Sequence, residues 1–379
     1  MGRNRSKRTL FVLACYDWMR DYAMSVVGRL FTDNCHIVAV LEQPSKAADF
    51  ARFPGDKVTI IEMPGNAIAR RAFVIYPLPL IRAINRIIKE KEIELVYSVT
   101  IDTWLSRFLP RLQRCIPVLY TIHNAIAHET VRESLLKRIN HHLLFAAPAN
   151  RLVKKMKWTV TNSVCQQTYL RNHFPAHTAH FMPFPSLVNK TIATGDTPVA
   201  ELEGKERYIL FFGRIELYKG VHLLYNAYRQ HPELHSLPLV IAGSGNIYFE
   251  HDESDNIVFV NRFIADEEVA RLFSRAAVVV YPYTSATQSG VLSIASYFDV
   301  PMVIGNVPYF REVASGRPGI EIVDATDSDL LAQAITKMAE SGTGSRPLYD
   351  EAYSEISYKQ HFDEIADDTI NAFKLWKSR

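Results

Sequence analysis

Two cations five positions apart, Arg214 and Lys219, stand in the segment Tyr208 to Tyr225, YILFFGRIELYKGVHLLY. The pattern predicts an apolar strand ending at Phe212, a tight turn permitted by Gly213, and a helix beginning near Gly220, with the two cations on either side of the intervening loop. Cations at the carboxyl end of a parallel strand lie where an open α/β sheet binds its ligands. The chemistry they could support is expulsion of a diphosphate, because negative charge grows on that leaving group as its bond breaks.

A second segment adds polar groups of the same use. Ala277 to Gly305, AVVVYPYTSATQSGVLSIASYFDVPMVIG, reads as a buried strand, a Pro-Tyr, a Ser/Thr/Gln loop reaching Gly290, and an apolar helix from Val291 to Phe298. Thr287, Gln288 and Ser289 near that helix start offer side-chain polar groups and backbone N–H groups to a phosphate. Between these segments, Leu239 to Gly245 (LVIAGSG) is a strand ending in a glycine turn, a weak phosphate signal by itself. Tyr120 to Glu129 (YTIHNAIAHE) sets His123 and Asn124 after another apolar strand, with His128 and Glu129 one turn on. His123 reads either as a structural residue or as a group facing substrate, and a general base must come within hydrogen-bond reach of the hydroxyl it deprotonates. Asp327-Ser328-Asp329 matches a metal-binding DxD, yet it directly precedes a helical stretch from Leu330 to Met338, where Asp and Ser serve as caps. His251 to Asp255 reads as a solvated loop, and no GxSxG elbow exists for a serine hydrolase.

The strand-GR-x4-KG-helix pattern resembles the retaining glycosyltransferases of family 4, which have the GT-B fold. The similarity covers most of Tyr208 to Ala314 in matching order and the first half more loosely. The resemblance implies that Arg214 and Lys219 bind and activate the donor diphosphate, and that Gly213, Thr287, Gln288, Ser289, Gly290 and Val291 surround its phosphates and ribose. It further implies that Arg262 and Phe263 lie beside the nucleobase, with His123, Asn124, His128 and Glu129 on the side of the donor sugar or acceptor. It implies a UDP- or GDP-linked co-substrate, no cofactor and no metal. One departure is plain: the family usually carries two glutamates eight residues apart, and the equivalent positions here fall near Ala286 and Ile294.

These residues need scaffolds to hold them. Short β-rich runs alternate with helical stretches, the pattern of parallel sheets. First-half strands are expected at Thr9 to Cys15, His36 to Leu41, Val58 to Met63, Leu95 to Val99, Val118 to Ile122 and Thr159 to Asn162, and helical periodicity separates them, as in Leu80 to Lys89. Second-half strands are expected at Tyr208 to Phe212, Leu239 to Ala242, Ile257 to Val260, Val278 to Tyr281, Met302 to Ile304 and Ile320 to Val323. The expected architecture is therefore α/β: two Rossmann-like domains at 1–188 and 207–352, a polar linker at 189–206, and a helical segment at 353–379. By resemblance, a cleft separates the domains and the last helix crosses back to the first.

A chain of 379 residues with 48% hydrophobic content supports two such cores. Apolar runs such as Leu143 to Ala147 fall far short of the ~20 residues of a membrane span. The basic start, Met1 to Arg8, precedes an apolar run too short for a cleaved signal, so a cytoplasmic chain is expected. Cys15, Cys35, Cys115 and Cys165 lack CxxC spacing and read as free thiols. Net charge is only +3, but residues 1–190 carry 27 Lys and Arg against 13 Asp and Glu, while the remainder carries 16 against 27. Clusters such as Arg132, Lys137 and Arg138, and Arg151, Lys154, Lys155 and Lys157 before Trp158, suit an anionic lipid surface. No nucleic-acid-binding pattern accompanies them. The expectation is a hexosyltransferase acting on a saccharide acceptor, lipid-linked, at the inner face of the cell membrane in cell-surface polysaccharide assembly. The alternatives are a non-catalytic nucleotide-sugar-binding scaffold and a sugar-nucleotide epimerase.

Overall fold

A computed structural model describes residues 7–17, 19–123, 142, 146–252 and 256–378. The chain divides into two compact units: one runs to Pro185 and takes up the terminal helix from Glu355, and the other spans Ser186–Ser354.

The first unit is built on β1 (Thr9–Leu13), β2 (His36–Leu41), β3 (Val58–Glu62), β4 (Leu95–Ser98), β5 (Val118–Thr121), β6 (Trp158–Thr161) and β7 (Thr178–Phe181). Their order is β3-β2-β1-β4-β5-β6-β7, and every pairing is parallel. Strand order reverses between β1 and β4, which opens a crevice at their carboxyl ends. The central strands are apolar on both faces because helices cover both sides of a parallel sheet. Strand β7 was not expected, since TAHF is a short, half-exposed edge segment without an apolar run. The terminal helix, Glu355–Lys377, stacks Phe362 on Tyr97 of β4 at 5.4 Å, and sets Phe373 and Trp376 edge-on to Trp158 of β6 at 6.0 and 5.9 Å. It therefore completes the core of the first unit, as the expected return of the last helix requires.

The second unit holds β8 (Tyr208–Phe212), β9 (Leu239–Ala242), β10 (Ile257–Val260), β11 (Ala276–Tyr281), β12 (Met302–Gly305) and β13 (Ile320–Val323). These are ordered β10-β9-β8-β11-β12-β13, again all parallel, and the reversal falls between β8 and β11. Residues 189–206, expected as a linker, are folded onto this unit. They form the helix Lys190–Thr194 and the turn Ala200–Leu202, and Ile192, Val199 and Leu202 are buried in the second core. Spaced singly among polar residues, these three give no periodic signal, which is why the segment reads as a linker in sequence.

Candidate functional site

The switch point of the second sheet collects the residues singled out by their chemistry. Gly213 follows the end of β8 and donates its N–H to the Ala242 carbonyl at 2.9 Å, and the Ile215 N–H reaches the Ser244 carbonyl at 3.0 Å. The loop after β9 lies so close that a Cβ on Gly243, whose φ is +138°, would stand 2.2 Å from the Gly213 oxygen. The glycines of the Gly-Ser-Gly turn thus have a packing reason of their own. A short turn, Leu217–Lys219, then leads to Gly220, whose φ of +66° suits glycine and whose missing Cβ makes room for the Pro282 carbonyl 2.0 Å away from where it would lie. Gly220 starts the helix Val221–Gln230 and lets the β8 and β11 loops touch, with the Thr284 N–H on the Tyr218 carbonyl at 2.9 Å.

Lys219 is 8% exposed, on the boundary of the second core. Among the described residues its ammonium has no carboxylate within ion-pair distance and no hydrogen bond; its neighbours are the rings of Tyr283 and Tyr218, 5.7 and 6.0 Å away. Burial away from water pushes its pKa down to about 8, opposed by the attraction of Glu216 and aided by repulsion from Arg214. Arg214 is the opposite case, a largely exposed side chain paired with Glu216 at 3.0 Å.

From β11 the loop brings Thr287 and Ser289 to buried positions, and Gln288, Gly290 and Val291 to half-buried ones. Ser289 hydrogen-bonds the Tyr283 hydroxyl, and burial holds that phenol well above its ordinary pKa, so the ring beside Lys219 stays neutral. The Val291 Cγ1 and the Lys219 Nζ both lie within 4 Å of the position a Cβ on Gly213 would occupy. The helix from Val291 packs Leu292 and Ile294 into the core, and the Ser293 hydroxyl bonds the Gly290 carbonyl at 2.6 Å while accepting the Leu187 N–H at 3.0 Å. Ile294, near one expected glutamate position, is buried and apolar, and Ala286, near the other, packs against the core.

The remaining candidates have contacts of their own. Arg262 is spent on two carboxylates, Glu201 at 2.7 Å and Glu268 at 2.7 Å, and fastens residues 189–206 to the helix Asp266–Ser274. Its neighbour Phe263 is 70% exposed. His123 follows β5 in the first unit, buried, with Nε2 2.8 Å from the Val99 carbonyl and its ring edge-on to Tyr22 at 4.8 Å. Asn124, His128 and Glu129 lie outside the described residues, as do Arg132, Lys137 and Arg138. Asp327 caps the helix Ser328–Ser341, its carboxylate accepting the Leu330 N–H at 3.0 Å.

One residue that sequence reasoning missed is Asp102, at the first switch point. Its carboxyl accepts the N–H groups of Ala14 and Cys15 at 3.0 and 3.4 Å and the hydroxyls of Ser98 and Thr100. Burial raises its pKa to about 7 despite those donors. The only hint in sequence is a lone acid in an otherwise apolar and hydroxyl-bearing stretch, SVTIDTW.

Two parallel doubly wound sheets are the architecture of the GT-B fold. Residues 206–341, which hold the Lys219 loop and the Ser289 loop, match the family model described as Glycosyl transferases group 1. An uncharacterized glycosyltransferase of Methanocaldococcus jannaschii is 25% identical over 181 residues, 46% of each chain, so the match spans about half the length of that relative. Among solved structures, HepE of Anabaena in complex with UDP and glucose superposes with a TM-score of 0.68 at 14% identity, covering 95% of this chain and 99% of that one. Sucrose-phosphate synthase of Thermosynechococcus elongatus gives 0.64 at 16%, covering 98% and 100%. The matched domain supports a glycosyltransferase, and the solved structures show the shared fold.

Proposed function

We propose that the chain is a retaining glycosyltransferase of family 4 type that moves a hexose from a UDP- or GDP-sugar to a saccharide acceptor. The observation that carries this reading is Lys219. A buried ammonium without an internal anion is unfavourable unless something negative joins it, and a diphosphate would do so at the sheet position where such folds bind ligands. Arg214 would take the outer phosphate oxygens, and Gly213, Ser289 and Gly290 would leave the space and supply the hydrogen-bonding groups around them, with Thr287, Gln288 and Val291 alongside.

In the reaction, the bond between the donor's anomeric carbon and the diphosphate oxygen breaks, and its electron pair leaves with the nucleoside diphosphate. The acceptor oxygen bonds the same face of that carbon, and its proton passes to the departing diphosphate. Arg214 and Lys219 would offset the growing charge. His123 would act on the sugar side, in the first unit, and the step needs neither metal nor cofactor. The basic first half supports an acceptor carried on an anionic surface, a polyprenyl-diphosphate-linked saccharide at the inner face of the cell membrane, in cell-surface polysaccharide assembly. No helix among the described residues is long and apolar enough to cross a membrane.

Thermal unfolding with UDP, GDP and their sugar conjugates tests the donor reading. One nucleotide series should stabilise the native chain and lose its effect in Lys219→Ala. Absence of any response from the folded chain would instead favour a non-catalytic scaffold, the reading that Ala286 and Ile294 at the expected glutamate positions support.

A further inference from the structure

The first unit holds a second concentration of cations, remote from its own switch point. Arg107, Arg111, Arg114, Arg151, Lys155 and Lys157 line one pocket of about 600 Å³. Its walls come from the segment between β4 and β5, which includes the short helix Leu109–Leu112, and from the helix Ala147–Lys155 that leads into β6. The strands are parallel, and these residues precede β5 or β6, whereas His123 follows β5. The pocket therefore lies at the amino edge of the sheet, opposite the edge that carries His123 and Asp102.

The pocket is built rather than incidental. Gln113 is buried and ties its two walls together: Nε2 donates to the Lys155 carbonyl at 2.7 Å, and Oε1 accepts the Lys157 N–H at 2.9 Å. The half-buried Trp376, from the end of the terminal helix, closes one side with the Lys157 ammonium 4.1 Å from its ring centre. Lys377 adds a further cation, donating to the Arg114 carbonyl at 3.3 Å. No acidic residue lines the pocket, and among the described residues none of its six cations has a carboxylate within ion-pair distance. Elsewhere in this chain arginines are commonly paired, as Arg20 is with Asp49 and Arg262 with Glu201. Arg107, Arg111, Arg114 and Lys155 are exposed and Arg151 and Lys157 half-buried, and gathering six like charges around one concavity favours an anion there, the more so at low salt.

We propose that this pocket is an anion site for a phosphate-bearing ligand, separate from the donor site. Four of its six cations are arginines, whose planar forks match phosphate oxygens two at a time, whereas a merely solvated face would serve equally well with lysine alone. The phosphate belongs either to an anionic phospholipid headgroup or to a soluble phosphorylated compound. This extends the reading of the first half as facing an anionic partner and does not depend on the transfer reaction.

The test uses the full chain carrying Lys219→Ala, which silences the donor site, and compares it with the same chain carrying Arg107→Glu and Arg111→Glu in addition. The probes are inorganic pyrophosphate, followed by calorimetry, and flotation with phosphatidylcholine vesicles with and without phosphatidylglycerol. Binding to pyrophosphate, to the anionic vesicles or to both should fall at least about tenfold in the charge-reversed chain and weaken with salt. Arg107→Lys with Arg111→Lys should restore part of it. Response to vesicles alone identifies a headgroup, and response to pyrophosphate alone a soluble ligand. The proposal is overturned if the folded Lys219→Ala chain binds neither probe, or if charge reversal leaves binding intact while circular dichroism shows the fold preserved. Failure of the donor reading would appear separately, as a missing nucleotide response in the native chain while the Lys219→Ala chain still binds these probes.

Discussion

The two units repeat one topology and settle its critical position in opposite ways. At the switch point between β1 and β4, the backbone N–H groups of Ala14 and Cys15 point at a carboxyl that the chain itself provides, Asp102. At the switch point between β8 and β11 stands a buried ammonium, Lys219, and no described side chain neutralises it. In both places burial disfavours the charged form, raising the acid to about 7 and lowering the base to about 8. The difference is in what surrounds them. Asp102 has four internal donors and reads as structural, whereas Lys219 has two aromatic rings and reads as a group awaiting an external anion. A shared fold therefore does not make two equivalent sites; the side chain at the reversal decides which unit would take a phosphate.

Removing each group should break the symmetry in opposite directions. Lys219→Ala should weaken nucleotide binding by about 2–5 kcal/mol, the usual loss when one partner of a buried charge pair is truncated, while leaving unfolding stability unchanged or raised because an uncompensated buried charge is gone. Asp102→Ala should do the reverse. It strands the buried Ala14 N–H and two hydroxyls, while the Cys15 N–H keeps the Thr100 hydroxyl oxygen at 3.2 Å, and it should cost about 2–4 kcal/mol of stability and leave nucleotide affinity in the second unit untouched. Urea unfolding and nucleotide titration of both variants check the pair, and a large stability loss in Lys219→Ala would contradict the comparison.

The second switch point also depends on backbone approach. Gly220→Ala would force a Cβ to 2.0 Å from the Pro282 carbonyl at a φ of +66°. Strain and clash together should cost about 2–3 kcal/mol. They should also separate the β8 and β11 loops, so that nucleotide binding falls along with stability. If affinity survived that loss of stability, the contact between the loops would have no part in the site.

The depressed pKa of Lys219 sharpens the comparison further. An anion binds the ammonium and not the amine, so affinity should hold steady from pH 7 to about 8. Above that it should fall by up to about tenfold per pH unit, until the raised pKa of the complex is reached. Lys219→Arg, charged throughout, should flatten the profile. For stability the sign is the opposite: the unfolded lysine keeps its proton up to about pH 10.4, so the second unit should gain stability as pH rises from 8 towards that value. A profile set by any other group would survive the Arg substitution.

Much of this was legible in the sequence because strands buried on both faces are continuous apolar runs. Tyr208–Phe212 and Leu239–Ala242 stand where such runs predict them. The Lys219 loop was legible because glycines, cations and a strand end occur together within a dozen residues. What escaped were pairings that chain distance conceals. Arg262 finds Glu201 in a segment that reads as linker, and Asp102 meets residues 14 and 15 across two strands. The basic pocket was visible only as separate charge clusters, since Gln113 and Trp376 bring its walls together from three parts of the chain.

Arg214 offers the smallest effect and the finest distinction. Its side chain is 71% exposed and paired with Glu216 at 3.0 Å, so any contact it makes with phosphate is screened by water and by salt. Arg214→Ala should therefore lower nucleotide affinity by only about 0.2–1 kcal/mol, the range of exposed ion pairs. Raising the ionic strength should erase most of that difference, whereas the loss caused by Lys219→Ala should persist in high salt because the ammonium is buried. Titrations of both variants at low and high salt make the comparison. If Arg214→Ala instead matched Lys219→Ala in size and in resistance to salt, the loop would have to close over the nucleotide and bury Arg214 on binding, and the contrast between a buried and an exposed cation would hold only before the ligand arrives.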